Sequence, residues 1–153
     1  MPSSFVVIPA AYVILRRGAE VLLQRRHNTG YMDGYWAVGA AGHVEADESV
    51  HAAAVRESRE ELGVEIEVDS LVPLCAMHRT AADGNPTNER IDVFFTATTW
   101  EGSPHIVEPT KAADLRWCDL GDLPPNVVPH ERFVLDGLRN GDLPLIVSFG
   151  FAD

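Results

Sequence analysis

The sequence predicts a mixed β-sheet flanked by two helices, an α/β or α+β sandwich. Three observations lead there. Apolar, β-rich runs occupy the first 26 residues, a Gly- and Pro-free stretch of helix formers runs from Ser49 to Leu62, and strand-like runs then return before a second helical stretch at Pro129–Arg139. Strands, loop, helix, strands, helix is the order expected when helices cover a sheet on its faces. At 153 residues the chain is read as one domain, 1–153, long enough to bury a core.

The elements follow in order. Phe5 to Arg16 (FVVIPAAYVILR) is apolar and β-rich, Arg17-Gly18-Ala19 is a turn, and Glu20 to Arg26 (EVLLQRR) completes a hairpin. His27 to Gly34 (HNTGYMDG) is rich in turn formers. Tyr35 to Val38 reads as a short strand, and Gly39 to Gly42 as a tight bend into the first helix. Asp47 or Ser49 can cap that helix, and Gly63 offers its stop. Val64 to His78 holds strand-like stretches broken at Pro73, Arg79 to Asn88 is an exposed turn-rich connection, and Arg90 to Trp100 is the clearest later strand. Glu101 to Ala113 is loop, Asp114 to Leu120 a short strand, and the apolar tail Leu143 to Phe151 a further strand or the cover of a partner surface.

Composition narrows the function classes. No apolar run approaches the roughly 20 residues that span a bilayer. Met1 to Arg16 lacks the basic flank and cleavage site of a secretory signal, so a cytoplasmic location is expected. Cys75 and Cys118 lie among apolar neighbours in no metal-like spacing and read as buried thiols. A net charge of −11 repels phosphate polymers and argues against binding of DNA or RNA. It leaves room for a small phosphorylated substrate that arrives with a cation.

The first helix carries the chemistry. At about 100° per residue, Glu57, Glu60 and Glu61 share one arc, while Val50, Ala54, Val55, Ser58 and Leu62 form an adjoining arc that can pack. Like charges at i, i+3 and i+4 cost an isolated helix roughly 0.2–0.5 kcal/mol per pair. A solvated acidic face is the plainer reading of such a run. A divalent cation that prefers oxygen ligands is the other, because it turns the repulsion into binding. Arg56 can reach Glu60 at i+4, and Arg59 points further round, toward solvent.

The wider pattern decides between them. Gly42-x5-Glu48-x7-Arg56-Glu57-x-x-Glu60-Glu61-x-Gly63-Val64 resembles the signature of the Nudix hydrolase superfamily, the MutT-like pyrophosphohydrolases. All seven polar or Gly positions of that signature, spread over 22 residues, match. Gly34-Tyr35-Trp36, Leu115-Arg116-Trp117 and Leu123-Pro124 resemble weaker landmarks, so the resemblance covers the chain from about Val6 to Leu138. It implies an α/β/α Nudix sandwich and metal-dependent hydrolysis of a nucleoside diphosphate linked to a group X, with Mg²⁺ or Mn²⁺ as cofactor. Glu60 and Glu61 would be the main metal ligands, Glu57 a third ligand or the general base, and Gly42 a ligand through its carbonyl. Glu48 and Arg56 would orient the loop and helix. Glu108 would be the later-loop carboxylate often found in relatives, with a solvated loop Glu as the alternative. Arg26 would meet a substrate phosphate, with an exposed strand-end Arg as the alternative.

Two departures stand out. Ser58 replaces the usual aliphatic residue on the packing arc, and Ala40-Ala41-Gly42 replaces Pro-Gly-Gly, which would strain Ala41 if its position needs positive φ. Tyr35, Trp36, Phe94 and Phe95 could form a stacking wall for a base, although strand aromatics are usually core. His43, His78 and His130 form no metal spacing, and His130 reads as the start of the last helix. A (d)NTP or modified nucleotide is the leading substrate, ahead of an NDP-sugar or dinucleoside polyphosphate. A non-catalytic nucleotide-binding module and a purely structural acidic-helix domain are the other classes. The first fits poorly with three retained carboxylates, the second with the spacing of Gly42, Glu48 and Gly63. The apolar tail and strand edges are compatible with a homodimer.

Overall fold

The computed structural model describes residues 4–152. Met1 to Ser3, where the N-terminal reading above begins, lie outside the described residues, as does Asp153. Eight strands and two helices follow one another as β1 (Ile8–Arg17), β2 (Glu20–Arg26), β3 (Trp36–Val38), β4 (Ala40–His43), α1 (Val50–Leu62), β5 (Val72–Arg79), β6 (Arg90–Ala97), β7 (Ala112–Asp119), α2 (Pro129–Asn140) and β8 (Ile146–Phe149). The strands form a mixed sheet in the order β3-β2-β1-β6-β5-β8, with β4 paired to β1 and β7 paired to β2. β1 runs parallel to β6 and β5 parallel to β8, while the other pairings are antiparallel.

β1 explains why its sequence is a nearly unbroken apolar run. Ala10, Tyr12 and Ile14 pack on one face with Val134 and Leu135 of α2. Ala11, Val13 and Leu15 pack on the other with Ala53, Ala54 and Leu62 of α1. A strand between two helices must be apolar on both faces. Each fully buried Val or Leu contributes roughly 1.5–3 kcal/mol. The expected sandwich, with a helix on each side, is therefore present.

Two local expectations are corrected. Gly39 to Gly42 is no tight bend: Ala40–His43 is a strand, with Ala41 opposite Tyr12 and Gly42 opposite Ala11. Ala41 is not among the residues with positive φ, so it carries no strain there. The sharp backbone lies later, at Asp47 with φ 64°. Nor does Pro73 break β5. It sits at a bulge between Pro73 and Cys75, and β8 pairs with β5 only from Ala76 onward. A proline there removes no hydrogen bond from that second pairing.

Helix α1 begins and ends as its residues dictate. Ser49 Oγ accepts from the Ala52 amide, and Gly63 closes the helix in the left-handed region with φ 66°. The buried face is Ala53, Ala54, Ser58 and Leu62, and Val50 and Val55, half-buried, pack against the same core as expected. Ser58 is fully buried, and its hydroxyl donates to the Ala54 carbonyl at 2.8 Å. The departure at this position leaves no unsatisfied group. The tail forms β8 at a sheet edge. Both cysteines are free and buried. Among the described residues no helix is long and apolar enough to cross a membrane.

Candidate active site

The site is built where β4 runs into α1. Arg56 organises it. Its Nε donates to Glu48 Oε2 at 2.7 Å and its Nη2 to Glu48 Oε1 at 2.9 Å, a bidentate pair. Its Nη2 also donates to the His43 carbonyl at 3.0 Å, and its Nη1 to Glu57 at 2.8 Å and Glu60 at 3.1 Å. The i+4 contact with Glu60 is present, but the tighter grip is on Glu48, which ties the loop to the helix. Hydrogen bonding from Arg56 pulls the Glu48 carboxyl down to about 2. Arg59 turns outward and pairs with Glu65.

Three glutamates present three environments. Glu60 is exposed, its side chain 52% accessible, whereas Glu57 is 13% accessible. Burial raises the Glu57 carboxyl despite the opposing Arg56 guanidinium. Glu61 lies deepest. Its Oε2 accepts from the Ala41 amide at 2.8 Å, and burial pushes its carboxyl up to about 8. The negative fields of Glu57 and Glu108 add to that rise, against the Ala41 hydrogen bond. Gly42 explains itself here: a Cβ at Gly42 would fall on the Glu57 carboxylate. Glycine is needed for close approach and not for backbone freedom.

Glu61 stands between two cavities. The first, about 330 Å³, is lined by Glu61, Gly42 and Arg26 together with Arg79, Arg90 and His130. The second, about 340 Å³, is lined by Glu61, Arg26, Glu108 and Lys111. Arg26 therefore faces both. Its Nε donates to the Tyr31 carbonyl at 2.7 Å and its Nη2 to Thr29 Oγ1 at 3.0 Å, so the β2–β3 loop holds the guanidinium in place. Glu108 lies 3.5 Å from Lys111 Nζ.

The donor set fits a hard divalent cation. Carboxylate oxygens are the ligands such a cation prefers, and Glu48, Glu57 and Glu60 share a single guanidinium, that of Arg56. Arg56 supplies what compensation there is. Among the described residues no three His, Cys, Asp or Glu side chains close on a common point.

The far wall of the first cavity was not read from the sequence. Tyr12 Oη lies 3.1 Å from His130 Nε2, and Glu131 Oε1 accepts from the Val38 amide at 2.7 Å. Burial pushes the His130 imidazole down to about 2 and the Glu131 carboxyl up to about 7. Asp92 is completely buried and accepts from Arg79 Nε at 2.7 Å. One signal was available: Asp92 stands two residues before Phe94, on the inward side of an alternating strand. Trp36, Phe94 and Phe95 are core, as strand aromatics usually are, and form no stacking wall. Tyr35 is partly exposed, and Tyr31 lines the cavity instead.

Comparison with known proteins agrees with this architecture. A family model described as the NUDIX domain matches residues 7–137. An isopentenyl-diphosphate Delta-isomerase of Cereibacter sphaeroides is 32% identical over 126 residues, covering 81% of this chain and 71% of that protein. One of Escherichia coli is 30% identical over 115 residues, covering 74% of this chain, which spans only 62% of that relative's length. The crystal structure of a MutT NUDIX hydrolase from Burkholderia pseudomallei superposes with a TM-score of 0.76 and 29% identity, covering 86% of this chain and 97% of that one. By family model and by fold, this chain belongs to the NUDIX family and is built as a Nudix hydrolase.

Proposed function

We propose that the chain, as a single catalytic domain, hydrolyses a phosphoanhydride bond of a nucleoside diphosphate linked to X, with a (d)NTP or modified nucleotide first among substrates. NDP-sugars and dinucleoside polyphosphates are the next candidates. The observation that carries this reading is the placement of Glu57, Glu60 and Glu61 on one flank of α1, with Glu61 at the junction of two cavities.

Bound Mg²⁺ or Mn²⁺ would neutralise polyphosphate charge and ready a water for in-line attack. Glu57, Glu60, Glu61 and the Gly42 carbonyl are the groups to hold it, and Glu108 faces the same space across the second cavity. Arg56 keeps Glu57 and Glu60 within one cluster. Glu57, the half-buried carboxylate beside Glu60, is a third ligand or the base that accepts the water's proton. Arg26, anchored by Thr29 and Tyr31 and lining both cavities, would meet a substrate phosphate.

The names of the relatives favour a second reading, double-bond rearrangement of an isoprenoid diphosphate. Protonating an alkene creates a carbocation, which Arg26, Arg79 and Arg90 of the first cavity would repel, against the carboxyls of Glu61 and Glu131 in the same lining. Hydrolysis has no such conflict. A panel of nucleotides and isopentenyl diphosphate, assayed for phosphate release and for isomer formation with Mg²⁺, Mn²⁺ and EDTA, separates the two. Metal-dependent phosphate release is expected, and Glu60→Gln should reduce it by orders of magnitude in a folded protein. Isomer formation without phosphate release would overturn the hydrolase reading. The same reading places the enzyme in the cytoplasm with its nucleotide substrates. The exposed Leu145 and Ile146 at the β8 edge make a homodimer its expected assembly, which sedimentation would test.

A further inference from the structure

Arg79 and Arg90 face each other directly across the β5–β6 pairing. Like charges at opposed positions of an antiparallel pair are destabilising. Both residues line the first cavity, in a chain whose net charge is −11. Each guanidinium is held by its Nε alone, Arg79 by Asp92 Oδ2 and Arg90 by the Thr87 carbonyl. Among the described residues no Nη atom of either has a protein partner. Asp92 is buried beneath them, and its Oδ1 has no hydrogen bond. Asp92 therefore pairs with Arg79 alone, and Arg90 has only a backbone carbonyl. Burying Asp92 is costly, and what it achieves is to fix the Arg79 fork at the cavity wall.

The pair is remote from the carboxylate helix. Gly42 lies on β4, and β1 and β6 follow β4 before β5 is reached. At the usual ~4.8 Å between strands, Arg90 stands roughly 10 Å and Arg79 roughly 14 Å from that strand along the sheet. Both guanidinium groups reach back into the cavity that Glu61 and Arg26 also line, so a ligand seated at Glu61 can extend along its wall to them. An anion at the arginine pair is a different group of the same ligand.

We infer that Arg79 and Arg90, fixed by Asp92 and Thr87, form a second anion subsite, which takes a phosphate group carried by X outside the scissile diphosphate. This substrate class rests on the hydrolase reading above; the subsite itself does not. Two planar forks on adjacent strands suit the several oxygens of a phosphate.

The first test uses inorganic phosphate and the protein in EDTA, where the α1 carboxylates repel anions. Calorimetry should show salt-sensitive phosphate binding that Arg90→Gln weakens at least tenfold and the surface control Arg139→Gln leaves intact. Arg79→Lys keeps a charge beside Asp92 but removes the fork, and should weaken binding as well. If wild-type protein binds no phosphate, or if folded Arg90→Gln binds it equally, the subsite is wrong. The second test compares diphosphates differing by one distal phosphate, such as NAD⁺ and NADP⁺, with Mg²⁺. The phosphorylated member should be favoured at least tenfold in kcat/KM, through KM, and Arg90→Gln should abolish the preference. Equal turnover of both members overturns the proposal. Turnover of neither, nor of any nucleotide in the panel above, with phosphate binding retained, sinks the hydrolase reading and leaves the subsite standing.

Discussion

Glu61 and Glu131 perform the same local task from opposite faces of the sheet. Glu61, near the end of α1, accepts the Ala41 amide; Glu131, in the first turn of α2, accepts the Val38 amide. Both carboxyls are raised by burial, to about 8 and about 7. Their surroundings differ. Glu61 has Glu57 and Glu108 within its field and faces both cavities, whereas Glu131 sits beside a neutral His130 and faces one. A buried carboxyl in the field of two other carboxylates, with Arg26 alone opposing them, suits a cation; one that meets only Asp92, opposed by Arg26 and Arg79, suits the fold. Similar depth thus serves two ends, and the neighbours decide which.

Glu61→Gln should separate the two carboxyls most strongly. The amide side chain still offers an oxygen to Ala41 but cannot compensate a cation. Metal-dependent turnover should fall roughly 10²–10⁴-fold, with the thermal transition preserved. In the wild type, Mg²⁺ binding near pH 7 should release a proton, because a carboxyl raised to about 8 is largely protonated there. Calorimetry in buffers of different ionisation enthalpy reads that proton, and Glu61→Gln should lose it. A variant that keeps both turnover and proton release would place the metal elsewhere.

Glu131→Gln should act on stability instead. The folded state holds the Glu131 proton more tightly than the unfolded chain, with a carboxyl at about 7 against an ordinary 4.5. The stabilisation is complete below pH 4.5 and is lost as pH rises toward 7. Glutamine keeps the hydrogen bond to Val38 and removes the titration. Relative to wild type, the variant should gain on the order of 3 kcal/mol between pH 4.5 and 8. Urea unfolding at pH 5 and pH 8 measures the difference. Parallel pH curves for the two proteins would mean that Glu131 is charged and compensated in the fold.

The contrast also shows what a sequence can disclose. Helical periodicity gathers Glu57, Glu60 and Glu61 on one flank, and Ser49 and Gly63 mark the ends of that helix, but only the resemblance to the Nudix signature singled them out from a solvated acidic face. The bidentate hold of Arg56 on Glu48 was not legible, since Glu48 precedes the helix and no periodicity relates the two. β4 was misread because Ala-Ala-Gly is a weak strand former, and only the long β1 beside it keeps it extended. His130 and Glu131 follow Pro129 in a first turn, where polar residues ordinarily meet water. Their burial is set by the sheet packed over them, which local sequence does not encode. Arg79 and Arg90 looked like the rims of an exposed turn, and only the pairing register makes them neighbours.

The smallest expected effect tests whether the position of Glu61 depends on the packed face of its own helix. Ser58 lies on that face, fully buried, and spends its hydroxyl on the Ala54 carbonyl one turn back. Removing the hydroxyl leaves an Ala54 carbonyl that still belongs to the helix, and alanine is the better helix former. Ser58→Ala should therefore shift stability by no more than about 0.5 kcal/mol, with turnover unaltered. Ser58→Leu inserts volume between α1 and β1, and should cost about 1–3 kcal/mol. Because Glu61 reaches Ala41 through a single 2.8 Å hydrogen bond, a helix pushed off the sheet would also lose turnover. Chemical denaturation and steady-state rates on both variants decide the matter. If leucine is accommodated with full activity, the α1 face is looser than its burial implies, and Glu61 is positioned by its own hydrogen bond and not by the core behind it.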